Sequence, residues 1–275
     1  MFMTRLFLFT IFYLLALVGC SDLRDTHERL HSVLWMQTSA EYRTLTTLIY
    51  QRAREALNHA LADKAWTAVV EQVDTFSELP PAVIMDLDET VLDNSPFEAR
   101  LIKARLPFSR SKWDQWVEEA SAQALPGALE FIAEAQRKGI TVFFVTNRQI
   151  QHEAATRENL EHLGISLRTD IDVVLTEGEQ PHNWQADKSR RRQFLASQYR
   201  ILLLIGDDLG DFVGGAMDNP DNRIRLSEQY VSRWGASWFL IPNPIYGSWE
   251  ASLYRKGLSD IDSLNFKRSV LRDTP

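Results

Sequence analysis

The stretch Val83-Ile84-Met85-Asp86-Leu87-Asp88-Glu89-Thr90-Val91-Leu92-Asp93-Asn94 decides how this chain is read. An apolar run at 82–85 stops abruptly, and three acids follow within four positions. Continuous rather than alternating apolar residues suit a strand covered on both faces. Further runs at 140–145, 201–205 and 238–241, with a weaker one at 171–175, close on polar residues in the same way. Helical patterns lie between them, at 126–138 before Gly139 and at 151–162 before Gly164. Alternating strand and helix predict an α/β fold, a doubly wound parallel sheet with right-handed crossovers. In such sheets ligands bind at the carboxyl ends of the strands.

Two segments stand outside this alternation. From about 25 to 76, Leu30, Val33, Leu34, Tyr42, Leu45, Leu48, Ile49 and Leu57 recur at spacings of three and four without Gly or Pro. The pattern predicts a helical N-terminal extension that Pro80 and Pro81 bring to a stop. The interval 93–125 is longer than one crossover needs and holds Phe97, Phe108, Trp113 and Trp116, which predicts a helical cap over the strand ends. Its surface aromatics would permit a homodimer.

The acids carry the chemistry. Asp86 directly follows the first run, Thr146 follows the second, and Asp207 follows Ile205-Gly206, so all three should emerge on one edge of the sheet. Asp88 lies two residues past Asp86 and returns to the same side. Asp211 follows Asp207 by four residues, one turn if a helix starts there. The arrangement brings four carboxylates to one point. They must either hold protons or share a cation. Oxygen-only ligands suit a hard divalent ion such as Mg2+, and that ion would make an acidic site attractive to phosphate. A single DxD or GDxxxD string is common; their joint placement after separate apolar runs is specific.

Composition sets the outer bounds. A formal net charge of -7 argues against a nucleic-acid groove, and 45% apolar with 24% charged residues describes an ordinary globular protein. Among the six histidines, His27 and His31 are spaced i, i+4 but lack a third partner for a metal. Residues 1–5 hold one Arg and 6–19 are almost entirely apolar, too short for a comfortable bilayer span of about 20 residues and readable as a secretory signal. Cys20, the chain's single cysteine, excludes an intrachain disulfide. Leu17-Val18-Gly19-Cys20 resembles the lipobox of bacterial lipoproteins, which implies a signal peptide of 1–19, a lipid anchor on Cys20 and a mature domain of 20–275. Ser21 after the cysteine implies sorting to the outer membrane.

Asp86-Leu87-Asp88-Glu89-Thr90, Thr146, Lys188 and Gly206-Asp207-Asp208-Leu209-Gly210-Asp211-Phe212 resemble the four motifs of haloacid dehalogenase (HAD) superfamily phosphatases. The nearer likeness is to class C acid phosphatases, bacterial outer-membrane lipoproteins with nonspecific acid phosphatase and 5′-nucleotidase activity. It extends from Trp35-Met36-Gln37-Thr38-Ser39-Ala40-Glu41-Tyr42-Arg43 through Lys112-Trp113-Asp114-Gln115-Trp116-Val117 and Leu125-Pro126-Gly127-Ala128 to the segment 242–250. The likeness implies a HAD-like, Rossmann-like sheet. It implies that Asp86 attacks phosphorus, and that Asp88 protonates the leaving alkoxide and then activates water. It implies Mg2+ on Asp86, the Asp88 carbonyl, Asp207 and Asp211. Thr146 would bond a phosphoryl oxygen, and Lys188, chosen among the cations of 187–192 by the family spacing, would oppose the metal. Trp113 and Tyr246, with Asn94, are the substrate contacts so implied, the two rings holding a nucleobase by stacking.

One position departs from the family pattern: Phe97 stands where a Tyr is usual. Two other readings compete with a phosphomonoesterase acting on small phosphate esters and nucleotides. One is a phosphotransferase that passes the phosphoryl group to an acceptor hydroxyl. The other is a noncatalytic surface lipoprotein that binds nucleotide or metal, which the intact Asp86–Asp88 pair argues against.

Overall fold

The computed structural model describes residues 27–73, 75–253 and 260–273. The expected signal peptide 1–19 and Cys20 lie outside the described residues, among which no helix is long and apolar enough to cross a membrane.

The chain starts with α1 (Leu30–Thr38) and α2 (Ala40–Ala62). Ser39 separates them because its extended backbone ends one helix while its hydroxyl accepts the Tyr42 amide at 3.0 Å and caps the next. α2 buries Tyr42, Thr46, Tyr50, Ala53, Leu57 and Ala60 as one stripe, the face read from its periodicity. The helix expected to reach residue 76 stops at Ala62. Buried Arg200 takes the carbonyls of Ala60, Leu61 and Asp63. Beyond it the backbone finds partners outside itself: the Ala68 amide donates to Ile201 O at 2.7 Å, and Gln72 Nε2 donates to the Ala196 and Tyr199 carbonyls at 2.7 Å. β-branched Thr67, Val69 and Val70 have little helical preference to resist this.

There follow β1 (Pro81–Met85), β2 (Leu92–Asp93), α3 (Ser95–Ala104), α4 (Arg110–Glu118), β3 (Gln123–Ala124), α5 (Ala128–Arg137), β4 (Thr141–Gln149), α6 (Glu153–His162) and β5 (Val174–Glu177). Then come α7 (Ser189–Ala196), β6 (Arg200–Gly206), α8 (Pro220–Gln229), β7 (Trp238–Leu240), α9 (Ser248–Ala251) and α10 (Asp260–Ser269). The main sheet has the order β5-β4-β1-β6-β7 with every neighbouring pair parallel. Its central strands are buried on both faces, as unbroken apolar runs require. β1 is the point where the strand order reverses, and the crevice at its carboxyl end is where such sheets bind ligands.

Two boundaries differ from expectation. β5 begins at Val174, not near residue 171, because the Asp172 carboxylate accepts the Val174 amide at 3.0 Å in place of a neighbouring strand. β4 runs on to Gln149 with a register break after Val145, so Thr146 lies inside the strand's irregular extension. The cap interval 93–125 contains α3 and α4 as expected, and the antiparallel pair of β2 with β3 closes its base. Gly127 is required where α5 begins: its φ is +91°, and a Cβ there would meet Tyr50 Cβ of α2 at 2.9 Å.

Candidate active site

Asp86 leaves β1 with its amide bonded to Ile205 O at 2.9 Å, which brings the end of β1 beside the end of β6. Oxygens of Asp86, Asp207 and Asp211 lie within 4.8 Å of one another. Asp211 reaches the cluster through a 3₁₀ turn, Leu209–Asp211, that Asp208 caps, and its Oδ2 accepts the Asp208 amide at 2.9 Å. Asp207 is oriented by Asn243 Nδ2 at 2.8 Å and Thr90 Oγ1 at 3.3 Å. Lys188, just before α7, points its buried ammonium at Asp86 Oδ1 at 2.5 Å and Asp211 Oδ1 at 2.6 Å. The family spacing therefore selected the cation of 187–192 that enters the cluster.

The electrostatics follow from packing. Burial pushes the Asp86 carboxyl up, Lys188 pulls it down, and Asp211 and Asp88 push it up again, leaving it at about 7. Burial, then Asp86 and Asp211, hold Asp207 well above the usual carboxylate range. Burial works against the Lys188 ammonium, yet Asp211 and Asp86 keep it above its ordinary value and hence charged. One ammonium among three close carboxylates leaves an excess of negative charge in a dry site. That donor set, all oxygen, fits a hard divalent cation.

The fourth carboxylate does not join them. The expected convergence of four acids is corrected to three, because Asp88 turns its side chain to Arg148: Nη2 lies 2.8 Å from Oδ1, and Nε reaches both oxygens at 3.1 and 3.2 Å. Asn94 Nδ2 donates to the same Oδ1 at 2.9 Å. Asn94 is fully buried, its amide oxygen accepts Trp116 Nε1 at 2.7 Å, and its backbone amide is bonded to Glu89. It holds Asp88 from behind. Buried Glu89, pushed well up by burial and by Asp88, is its support.

Thr146 is fully buried beside β1; its hydroxyl accepts the Arg148 amide at 3.1 Å, and its carbonyl accepts Arg191 Nη1 at 2.5 Å. Trp113 is also buried, edge-on to Phe97 at 5.3 Å, with the Arg148 guanidinium 5.8 Å from its ring centre. Phe97 packs against Phe108, Trp113 and Trp116, so the ring that replaces the family Tyr belongs to the cap's own core. Tyr246 is half-buried on a loop after β7, with its amide donating to Asn243 Oδ1 at 3.4 Å. No ring contact pairs Trp113 with Tyr246 among the described residues.

Three residues of the site escaped sequence reasoning. Arg148 had a usable signal, since it stands two residues after Thr146 on the same strand face, the relation that links Asp88 to Asp86. Arg191, which also grips Asn147 Oδ1 at 2.6 Å, lay hidden among neighbouring cations; burial draws its guanidinium down to about 10. Asn243 carried no signal, being 36 positions from the Asp207 it orients.

The family model for HAD superfamily subfamily IIIB (acid phosphatase) matches residues 24–249. The structure superposes on the class C acid phosphatase from Bacillus anthracis with a TM-score of 0.78 and 31% identity, covering 90% of this chain and 98% of that one. A second crystal structure of the Bacillus protein, with tungstate bound, matches at the same TM-score and 30% identity. Acid phosphatase 1 of Solanum lycopersicum is 31% identical over 166 residues, 59% of this chain and 57% of its own length. The stem 28 kDa glycoprotein of Glycine max is 27% identical over 166 residues, 59% of this chain and 58% of its own. The chain thus spans little more than half the length of these two plant relatives. A central parallel sheet with its acids gathered at one edge, a family match over most of the chain and a near-complete structural counterpart agree: the chain belongs to the HAD superfamily, subfamily IIIB, the acid phosphatases.

Proposed function

We propose that this protein hydrolyses phosphomonoesters, nucleoside 5′-monophosphates among them, through an aspartyl-phosphate on Asp86 with Mg2+ as cofactor. The observation that carries this is the cluster of Asp86, Asp207 and Asp211 with the Lys188 ammonium between two of them. Asp86, Asp207 and Asp211, with the Asp88 carbonyl, would hold the cation, which supplies positive charge to neutralise the phosphoryl oxygens. The bound tungstate of the Bacillus relative is an oxyanion of phosphate-like shape and supports a phosphoryl-binding site.

In this reading an Asp86 oxygen forms the bond to phosphorus as the ester P–O bond breaks. Asp88 delivers a proton to the departing alkoxide and later takes one from the water that frees phosphate. Arg148 and Asn94 hold the Asp88 carboxylate in place for both transfers. Thr146 and Lys188 grip phosphoryl oxygens, so the protein contributes mainly position and charge. Trp113 and Tyr246 receive the base. Cys20 carries the lipid that ties the enzyme to the outer membrane of a bacterial envelope.

The test is hydrolysis of an aryl phosphate and of nucleoside monophosphates with and without Mg2+, comparing wild type with Asp86→Asn. Turnover should fall by roughly 10⁴-fold while the circular dichroism spectrum stays the same. Undiminished hydrolysis by the variant would remove Asp86 from the nucleophile's role. Phosphate appearing on an added alcohol, with none released free, would favour the phosphotransferase.

A further inference from the structure

The loop carrying Tyr246 is tied at both ends to the acidic turn after β6, and one of the ties uses a carboxylate that the chemistry above leaves idle. At the near end, Asn243 Oδ1 accepts the Ile245 and Tyr246 amides at 2.9 and 3.4 Å, while its Nδ2 holds Asp207. At the far end, Asp208 Oδ2 accepts the Ser248 amide at 2.6 Å and Oδ1 accepts the Ser248 hydroxyl at 2.6 Å. Gly247 lies between Tyr246 and this second tie with φ +149°, and a Cβ there would meet Asp208 Oδ2 at 3.1 Å and the Trp249 ring at 3.0 Å. The backbone therefore approaches Asp208 as closely as glycine allows. Trp249 Nε1 closes the turn on the Tyr246 carbonyl at 3.1 Å.

We propose that Asp208 is a positioning residue for substrate preference: by clamping Ser248 it sets where the Tyr246 ring stands relative to the acidic cluster, and so how firmly an ester bearing an aromatic base is held. The proposal rests on the reading of Tyr246 as a substrate contact. Asp208 itself bonds none of Asp86, Lys188 or Thr146. Its side chain faces away from the cluster, to Ser248 and to the Gly210 amide at 2.8 Å.

Asp208→Asn separates the two duties of this side chain. Asparagine keeps one acceptor oxygen, which serves Gly210 and the Ser248 hydroxyl and so preserves the turn that places Asp211. It puts an NH2 donor where the other oxygen stood, facing the Ser248 N–H, and two donors cannot bond. The clamp opens while the turn stays.

The experiment compares full-chain wild type, Asp208→Asn and the milder Ser248→Ala on a nucleoside 5′-monophosphate and on glycerol phosphate, an ester without a ring. Hydrogen exchange is followed over residues 243–249 in all three. For Asp208→Asn, KM for the nucleotide should rise about tenfold, the loss of a hydrogen bond to a charged group, with KM for glycerol phosphate and both kcat values within about twofold of wild type. Exchange over 243–249 should quicken in both variants. Equal loss on the two esters, or a fall in kcat, would show Asp208 acting through Asp211 and overturn the proposal; so would an unchanged ratio of KM values. If wild type cleaves neither ester, the phosphatase reading fails by itself. The exchange data then decide the clamp: unaltered exchange in Asp208→Asn overturns it, and faster exchange sustains it.

Discussion

Arg148 and Asp88 form a closed pair at the edge of the metal cluster, with Nη2 2.8 Å from Oδ1 and Nε within 3.2 Å of both carboxylate oxygens. The guanidinium is buried and fixed by β4, so it sets the direction in which Asp88 can give or take a proton. Arg148→Met should lower kcat about 10²-fold on any ester, the cost of misplacing a group by about 1 Å. Arg148→Lys should recover only part of this, because an ammonium cannot make the two-point contact. Steady-state kinetics on an aryl phosphate check both.

Gly206 is the tightest position in the site. A Cβ there would lie 2.3 Å from Asp211 Oδ2 and 2.5 Å from Asp211 Cβ. Gly206→Ala should therefore fold but displace Asp211 from the cluster. In wild type, Mg2+ at a hundred times its dissociation constant should stabilise the fold by about 2.7 kcal/mol. Most of that gain should be missing in Gly206→Ala, as read by thermal unfolding with added Mg2+ and with chelator.

Glu179 offers a test of pH dependence away from the site. Burial, then the neighbouring Asp172, raise its carboxyl from an ordinary 4.5 to about 7, against a partial offset from the Thr176 amide. The folded chain thus binds this proton more tightly than the unfolded chain, and its stability falls as pH rises through that interval. Glu179→Gln should be more stable than wild type at pH 8 by roughly 1 kcal/mol, a figure reduced for the partial solvation of the group. The two should converge at pH 4, as measured by denaturant midpoints.

His152 clasps the cap to the sheet domain. Its Nδ1 lies 2.5 Å from Glu118 Oε1 and its Nε2 3.1 Å from Asp114 Oδ1, two acids one turn apart on α4. The ring is buried, so its removal strands polar groups from α4 at the interface. His152→Ala should cost about 1–3 kcal/mol and quicken hydrogen exchange across residues 110–118. A melting temperature unmoved by the substitution would mean that the cap is held by its aromatic packing alone.

The strands and their common edge were legible in the sequence because both follow from local chemistry. A run of apolar residues has to be covered on both faces, and an acid that ends such a run has to emerge where the strand does. Asp86 and Asp207 were placed by that reasoning, and so was α2, whose buried stripe repeats along a single helix. The segment 63–79 was not legible, because its backbone donors and acceptors find partners on β6 and at the end of α7 instead of along their own turn. A helical pattern records what a segment permits; its competitors lie more than a hundred positions away.

Which carboxylates gather and which one is diverted was decided by tertiary structure. Asp86 and Asp88 look equivalent in a strand-end motif, yet Asp88 is claimed by an arginine from β4 and Asp86 by a lysine from the start of α7. Sequence by itself determined the donors, the sheet and the edge at which they meet. Only the fold determined the pairing, because the electrostatic energy between two charges depends on their separation in space, and that separation is set by how β1, β4 and β6 lie side by side.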